Sequence, residues 1–133
     1  MPKLRDQLAA TLFLCGVSLF ACAEEPLRID IETLVKADKE LLGRSVVTHA
    51  CLVDAHHGMF IEPCGENDGD LIRVLDPGYK AAKLFRRLGI NLNKHIEADF
   101  AGTIVRRSVR WPFPGHRIFL EVESINDATP YEP

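Results

Sequence analysis

Residues 45–75, SVVTHACLVDAHHGMFIEPCGENDGDLIRVL, contain three short apolar runs separated by turn-forming residues. The first run, residues 45–53, alternates with the period of two that is typical of a half-buried strand. Its inward face would hold Val46, Thr48, Ala50 and Leu52. Residues 59–64 and 71–75 are the second and third runs, and GENDGD between them is rich in residues that tolerate left-handed backbone. The stretch therefore predicts three strands connected as two hairpins.

The sequence that follows predicts one helix and two more strands. YKAAKLFRRL, residues 79–88, has the composition of a helix and is followed by Gly89. Residues 95–105 and 117–125 alternate like strands, with a loop over 106–116 between them that contains two prolines. We therefore expect a mainly β domain over residues 44–126, a small five-stranded antiparallel barrel with one helix between strands three and four. The competing architecture is an open antiparallel sheet with the helix packed on it.

The ends of the chain outside this domain have different patterns. Residues 24–43 have helical spacing and a candidate cap at Asp30, so they predict a helical lead-in to the barrel. Residues 127–133 predict a polar tail.

Two segments resemble a known group of proteins. LGRSVVTHACL, residues 42–52, resembles the opening strand of small exported bacterial OB-fold proteins, although Ala50 stands where those proteins often have glycine. LEVESI, residues 120–125, is similar to their last strand. The resemblance covers about residues 41–126 and implies an OB-like barrel. It implies no particular activity, because OB barrels support many unrelated functions.

The first 23 residues have the three parts of a secretory signal peptide. A basic start with Lys3 and Arg5 precedes an apolar run over residues 8–20, and Ala-Cys-Ala follows at 21–23. The pattern predicts cleavage before Glu24 and a periplasmic or secreted product. In the alternative, Leu-Phe-Ala-Cys is a lipobox, Cys22 is acylated, and the protein is a lipoprotein held at a membrane surface. The membrane is an expected partner only in that case.

Cys51 and Cys64 are the two cysteines that follow the leader, and an exported protein meets an oxidising environment. If His57 and Gly58 form a two-residue turn, Cys51 lies directly opposite Cys64 on the paired strand. That register predicts a disulfide, but it also sets Pro63, which has no N–H, opposite Leu52.

His49 lies two residues before Cys51 and would share its strand face. A metal-handling protein or a hydrolytic enzyme could use His49 with the cysteine pair. However, a structural zinc site needs four ligands, and a disulfide-bonded cysteine has no thiolate to offer. The sequence therefore favours a binding or structural module of the cell envelope that is not an enzyme and needs no cofactor. Its ligand would be a protein, an anionic glycan or a small molecule.

Basic and aromatic residues near the last predicted loop form the expected ligand-binding surface. Its predicted members are Arg106, Arg107, Arg110, Trp111 and Phe113, with Arg117 beside them and Phe60 and Arg73 on the neighbouring strands. Arginine and tryptophan often anchor interfaces. The net charge is −3 at pH 7, so we expect an anionic glycan or an acidic envelope protein as partner and expect no nucleic acid. In the alternative, Trp111 and Phe113 pack over the open barrel end and the arginines are only solvated.

Overall fold

We describe the chain from a computed structural model. The structure describes residues 24–55, 58–65, 69–90, 94–110 and 113–132. This part of the chain is mainly β, with six strands in one mixed sheet and two helices. The strands are β1 (Leu27–Arg28), β2 (Ser45–Ala55), β3 (Gly58–Glu62), β4 (Ile72–Leu75), β5 (Ile96–Val109) and β6 (Gly115–Pro130). The helices are α1 (Ile31–Ala37) and α2 (Lys80–Leu88). The predicted signal peptide, residues 1–23, lies outside the described residues.

Strand pairing follows the order β1-β2-β3-β4-β6-β5, and β2 also pairs with β5. Five strands therefore pair in a closed cycle, and β1 is added beside β2. The β1–β2 and β4–β6 pairs are parallel and the others are antiparallel. The prediction of five strands, all antiparallel, and one helix is corrected on these points. β1 has only two residues, too few to show an alternating pattern, and the partners in the β4–β6 pair are distant in sequence.

The predicted inward face of β2 is confirmed by burial. Val46, Thr48, Ala50 and Leu52 of β2 are all buried. β5 buries every second residue from Ile96 to Ile104, as the period of two requires. Both helices pack on this core, α1 through Ile31 and Leu34 and α2 through Ala81, Leu84 and Phe85.

β5 and β6 are longer than predicted. Their ladder continues from the Arg106–Ile118 pair to the Val109–Gly115 pair, so most of the predicted loop over 106–116 is a two-stranded arm. β6 also extends to Pro130, four residues into the predicted polar tail. Much of the arm is exposed. Backbone pairing therefore maintains the arm with little burial of side chains. Its sequence shows no apolar alternation from which strands could be predicted.

The helices begin at specific caps. Asp30 caps α1 by accepting a hydrogen bond of 2.9 Å from the backbone N–H of Thr33. α1 has seven residues, so the predicted lead-in over 24–43 is only partly helical. Before α2, the carboxylate of Asp76 accepts hydrogen bonds from the backbone N–H groups of Lys80 and Ala81, at 2.9 and 2.7 Å. In the described part of the chain, neither helix is a candidate membrane span.

Candidate functional site

A concave groove of about 400 Å³ lies where the start of β4 meets the start of β6, close to the turn that follows α1. Three arginines line it: Arg73 from β4, Arg106 from β5 and Arg117 from β6. The other lining residues are Asp38, Lys39, Leu71, Ile72, His116 and Ile118. We call this the basic groove, because it combines four basic side chains and one acidic side chain in a chain whose net charge is −3.

Strand pairing sets the three arginines on neighbouring strands. Arg106 pairs with Ile118 and Arg107 pairs with Arg117, so Arg106 and Arg117 come from adjacent rungs of the β5–β6 ladder. β4 lies on the other side of β6, where Arg73 is the partner of Phe119. The groove therefore depends on β6 being flanked by both strands.

Aromatic contact positions one of the guanidinium groups. The guanidinium carbon of Arg73 lies 5.4 Å from the centre of the Phe60 ring, a cation–π distance. Phe60 and Arg73 are paired across β3 and β4, so the sheet register holds the two side chains together.

The groove arginines keep their charge available to a ligand. Among the described residues, neither Arg106 nor Arg117 forms an ion pair. The Arg117 guanidinium donates a hydrogen bond of 3.1 Å to the carbonyl of its neighbour His116. Planar guanidinium groups with free N–H donors are well suited to carboxylate, sulfate and phosphate groups.

The remaining predicted residues lie outside the groove. Arg107 donates a hydrogen bond of 3.0 Å to Glu121 and lines a separate depression with Leu75 and Pro77. Arg110 follows the last residue of β5, and Phe113 lies two residues before the first residue of β6. Phe113 is 71% exposed. Trp111 lies outside the described residues. The structure thus brings together Arg73, Arg106 and Arg117, with Phe60 beside Arg73.

Sequence reasoning missed the contributions of Lys39 and His116. Lys39 reaches the groove through the turn after α1, far from the arm in sequence, so no local pattern could have indicated it. His116 stood at the end of the predicted loop and was not included in the predicted surface.

Cys51 and Cys64 form the predicted disulfide, with a Cα–Cα distance of 5.0 Å. The predicted register was wrong by two residues, because Ala55 pairs with Gly58 and Cys51 therefore pairs with Glu62. Pro63 follows the last residue of β3, so its missing backbone N–H removes no hydrogen bond from the β2–β3 ladder. Cys51 thus bonds to a residue just beyond its partner strand.

His49 bridges two carboxylates on the adjacent strand. Its Nδ1 lies 2.8 Å from Asp99 Oδ1 and its Nε2 lies 2.8 Å from Glu97 Oε1. The hydrogen bonds to Glu97 and then to Asp99 raise the pKa of His49 above its ordinary value. Only the protonated ring donates from both nitrogens, so this geometry favours the imidazolium.

These contacts concern the alternative prediction, in which His49 and the cysteine pair serve a metal-handling protein or a hydrolytic enzyme. Both its ring nitrogens contact carboxylates, and the two cysteines are bonded to each other. Within the described ranges, no group of three or more His, Cys, Asp or Glu side chains is arranged to hold a metal ion.

Comparisons of the chain with family models, curated proteins and solved structures found no match.

Proposed function

We propose that the protein is an exported binding module of the cell envelope that recognises an anionic ligand without catalysing a reaction. The observation that supports this is the basic groove, where three arginines from three strands line one depression together with Leu71, Ile72 and Ile118. Charged hydrogen bonds from arginine provide affinity and orientation, and the apolar lining residues give a ligand apolar contact. The ligand is an anionic glycan or an acidic protein segment.

We also propose that the closed cycle of five strands is an OB-like barrel. The support is the order of pairing together with the position of α2, which follows β4, precedes β5 and contacts β6. α2 closes one end of the barrel in this proposal. The basic groove adjoins the β5–β6 arm, and the corresponding loop of OB folds commonly contacts oligonucleotides or oligosaccharides. This is the architecture that the resemblance of residues 42–52 implies.

Export is part of the proposal because of the leader and the disulfide. The Cys51–Cys64 bond is consistent with an oxidising compartment. The mature chain begins at Glu24 or, in the alternative, at an acylated Cys22. The intact mass of protein recovered from the envelope decides between them, and a product that retains Met1 would contradict export.

Binding to a sulfated oligosaccharide tests the function. We expect the double variant Arg106→Gln, Arg117→Gln to bind at least about tenfold more weakly than wild type, since it loses charged hydrogen bonds. The matched control is Lys36→Gln with Arg86→Gln, which removes two exposed basic side chains that do not line the groove. Isothermal titration at two salt concentrations should also show weaker binding at higher salt. Equal affinity of the groove variant and wild type would contradict the proposal.

A further inference from the structure

Three depressions follow one another along β6. The basic groove lies at residues 116–118, a second depression includes Glu121, and a third includes residues 123–125. β6 forms one wall of all three depressions. The opposite wall is β4, which runs parallel to β6, at the basic groove, and it is the chain that continues from β4 into α2 at the second and third depressions. We call this line of depressions the β6 seam.

The third depression, of about 330 Å³, is a second basic site. Lys80, Lys83 and Arg87 line it, and their spacing of three and four residues sets them on one side of α2. Its one acid, Glu123, already accepts a hydrogen bond of 2.9 Å from the hydroxyl of Thr103. Of the described carboxylates, none forms an ion pair with these three bases.

The middle depression has no such excess of positive charge. Arg107 is paired there with Glu121, and the Asp76 carboxylate accepts from the N–H groups at the start of α2. The two basic sites are therefore separated by a balanced segment. From Arg117 to Ser124 the strand advances seven residues, or about 23 Å.

Tyr79 lies in the chain between Pro77, which lines the middle depression, and Lys80, which lines the third. Its side chain is 72% exposed, and its backbone is left-handed, with φ at 53° and ψ at 33°. A left-handed conformation is unfavourable for a residue that has a Cβ atom. Exposed tyrosine gains little packing in return, so folding alone gives no reason for an aromatic ring at this position. Such strain often accompanies a functional contact.

We propose that an extended polyanionic glycan binds along the β6 seam, with acidic groups in both basic sites and a sugar ring stacked on Tyr79. This inference rests on the proposed function for the groove and adds a second site, a minimum ligand length and a central aromatic contact. A glycan fits better than a nucleic acid, because the proposed export sets the protein in the envelope and its net charge is −3.

Chain length is the first test. Isothermal titration would compare a disaccharide and a dodecasaccharide of the same sulfated glycan. Removing the second basic site with Lys83→Gln and Arg87→Gln should weaken dodecasaccharide binding about tenfold, because the ligand loses its bivalent attachment. Disaccharide binding at the groove should not change. The Lys36→Gln, Arg86→Gln control should bind both ligands like wild type.

The outcomes separate the two proposals. If the groove variant binds the disaccharide like wild type, the proposed function fails. If groove dependence is observed but the Lys83→Gln, Arg87→Gln variant retains full dodecasaccharide affinity, only the seam fails. The same titration would be run with single-stranded DNA of similar length and charge. Binding as tight as that of the dodecasaccharide would contradict the choice of a glycan.

Tyr79 provides an independent test. Tyr79→Asn keeps a residue that tolerates the left-handed backbone but removes the ring, so the melting temperature should stay the same or rise. Dodecasaccharide affinity should nevertheless fall roughly three- to tenfold. Tyr79→Phe keeps the ring and should bind like wild type. Unchanged binding by the Asn variant would show that the ring does not contact the ligand.

Discussion

At the scale of single residues, His49 shows how an exposed side chain can connect two strands. It pairs with Asp99 across the β2–β5 ladder and reaches Glu97 two residues earlier on β5. The His49 side chain is 60% exposed, so solvent and salt weaken both contacts. The bridge therefore contributes a small, pH-dependent part of the stability.

The direction of this pH dependence follows from the raised pKa of His49. The folded state binds the proton more tightly than the unfolded state, so the contribution is complete below the ordinary value of 6.5 and is lost as pH rises through the higher folded pKa. We expect His49→Gln to remove this part of the pH dependence, an effect well under about 1 kcal/mol. Urea unfolding of both proteins between pH 5 and pH 9 measures it. If the free energy of unfolding changed with pH in the same way for wild type and variant, the account would be contradicted.

Residue types indicated the groove better than residue positions did. Arg73, Arg106 and Arg117 could be selected from the sequence, because arginines near a predicted loop or on the neighbouring strands are plausible ligand contacts. Their separation from Arg107 could not be predicted. Arg107 pairs with Arg117, yet the two line different depressions, so the separation depends on where each long side chain turns and not on strand register alone.

At the scale of elements, the β5–β6 ladder depends on one glycine. A Cβ atom added to Gly102 would overlap the carbonyl oxygen of Glu121, and the ladder register shifts between Ala101 and Gly102. We expect Gly102→Ala to lower the free energy of unfolding by more than about 2 kcal/mol or to prevent folding, because the backbone at Glu121 would have to move. Ser108→Ala, an exposed change in the same strand, should cost less than about 0.5 kcal/mol. Urea unfolding compares them, and equal stability would contradict this close approach.

The disulfide connects β2 to the segment that follows β3. Its ends are 13 residues apart in sequence, so closing this loop should contribute about 3 kcal/mol through the unfolded state. The double variant Cys51→Ala, Cys64→Ala should therefore melt at a lower temperature than wild type in oxidising buffer. With reductant, the wild type should lose most of this advantage. A non-reduced peptide map that showed both thiols free would contradict the bond.

α2 should contribute through its buried face. Leu84 is 5% exposed and belongs to the core, so Leu84→Ala should cost roughly 2–5 kcal/mol. Arg86→Ala on the exposed face of the same helix is the control and should cost less than about 0.5 kcal/mol. Denaturant unfolding gives both values. A cost for Leu84→Ala as small as that of the control would mean that α2 contributes little to the core.

Elements with a buried face were predictable, and elements without one were not. The alternation of β2 and the central part of β5 follows directly from burial on one side. The arm beyond Val105 is mostly exposed, so its sequence does not differ from that of a loop. β1 is maintained by two parallel pairs with Val46 and Val47, which no short pattern could indicate.

At the scale of the whole molecule, charge is unevenly distributed. The net charge is negative, yet both ends of the β6 seam have an excess of basic side chains, while Glu97 and Asp99 lie with His49 on the β2–β5 ladder. Local potential, more than net charge, determines where a charged ligand binds. A mildly acidic protein can therefore have a specific anion-binding surface.

The most direct test of the central claim is to locate the ligand on the molecule. Backbone amide NMR spectra of uniformly ¹⁵N-labelled protein would be recorded during titration with the sulfated disaccharide. The account predicts that the largest shift changes occur around Arg73, Arg106 and Arg117, and that Arg106→Gln with Arg117→Gln removes them. Changes centred instead on His49, Glu97 and Asp99, or an absence of saturable changes at the groove, would contradict it.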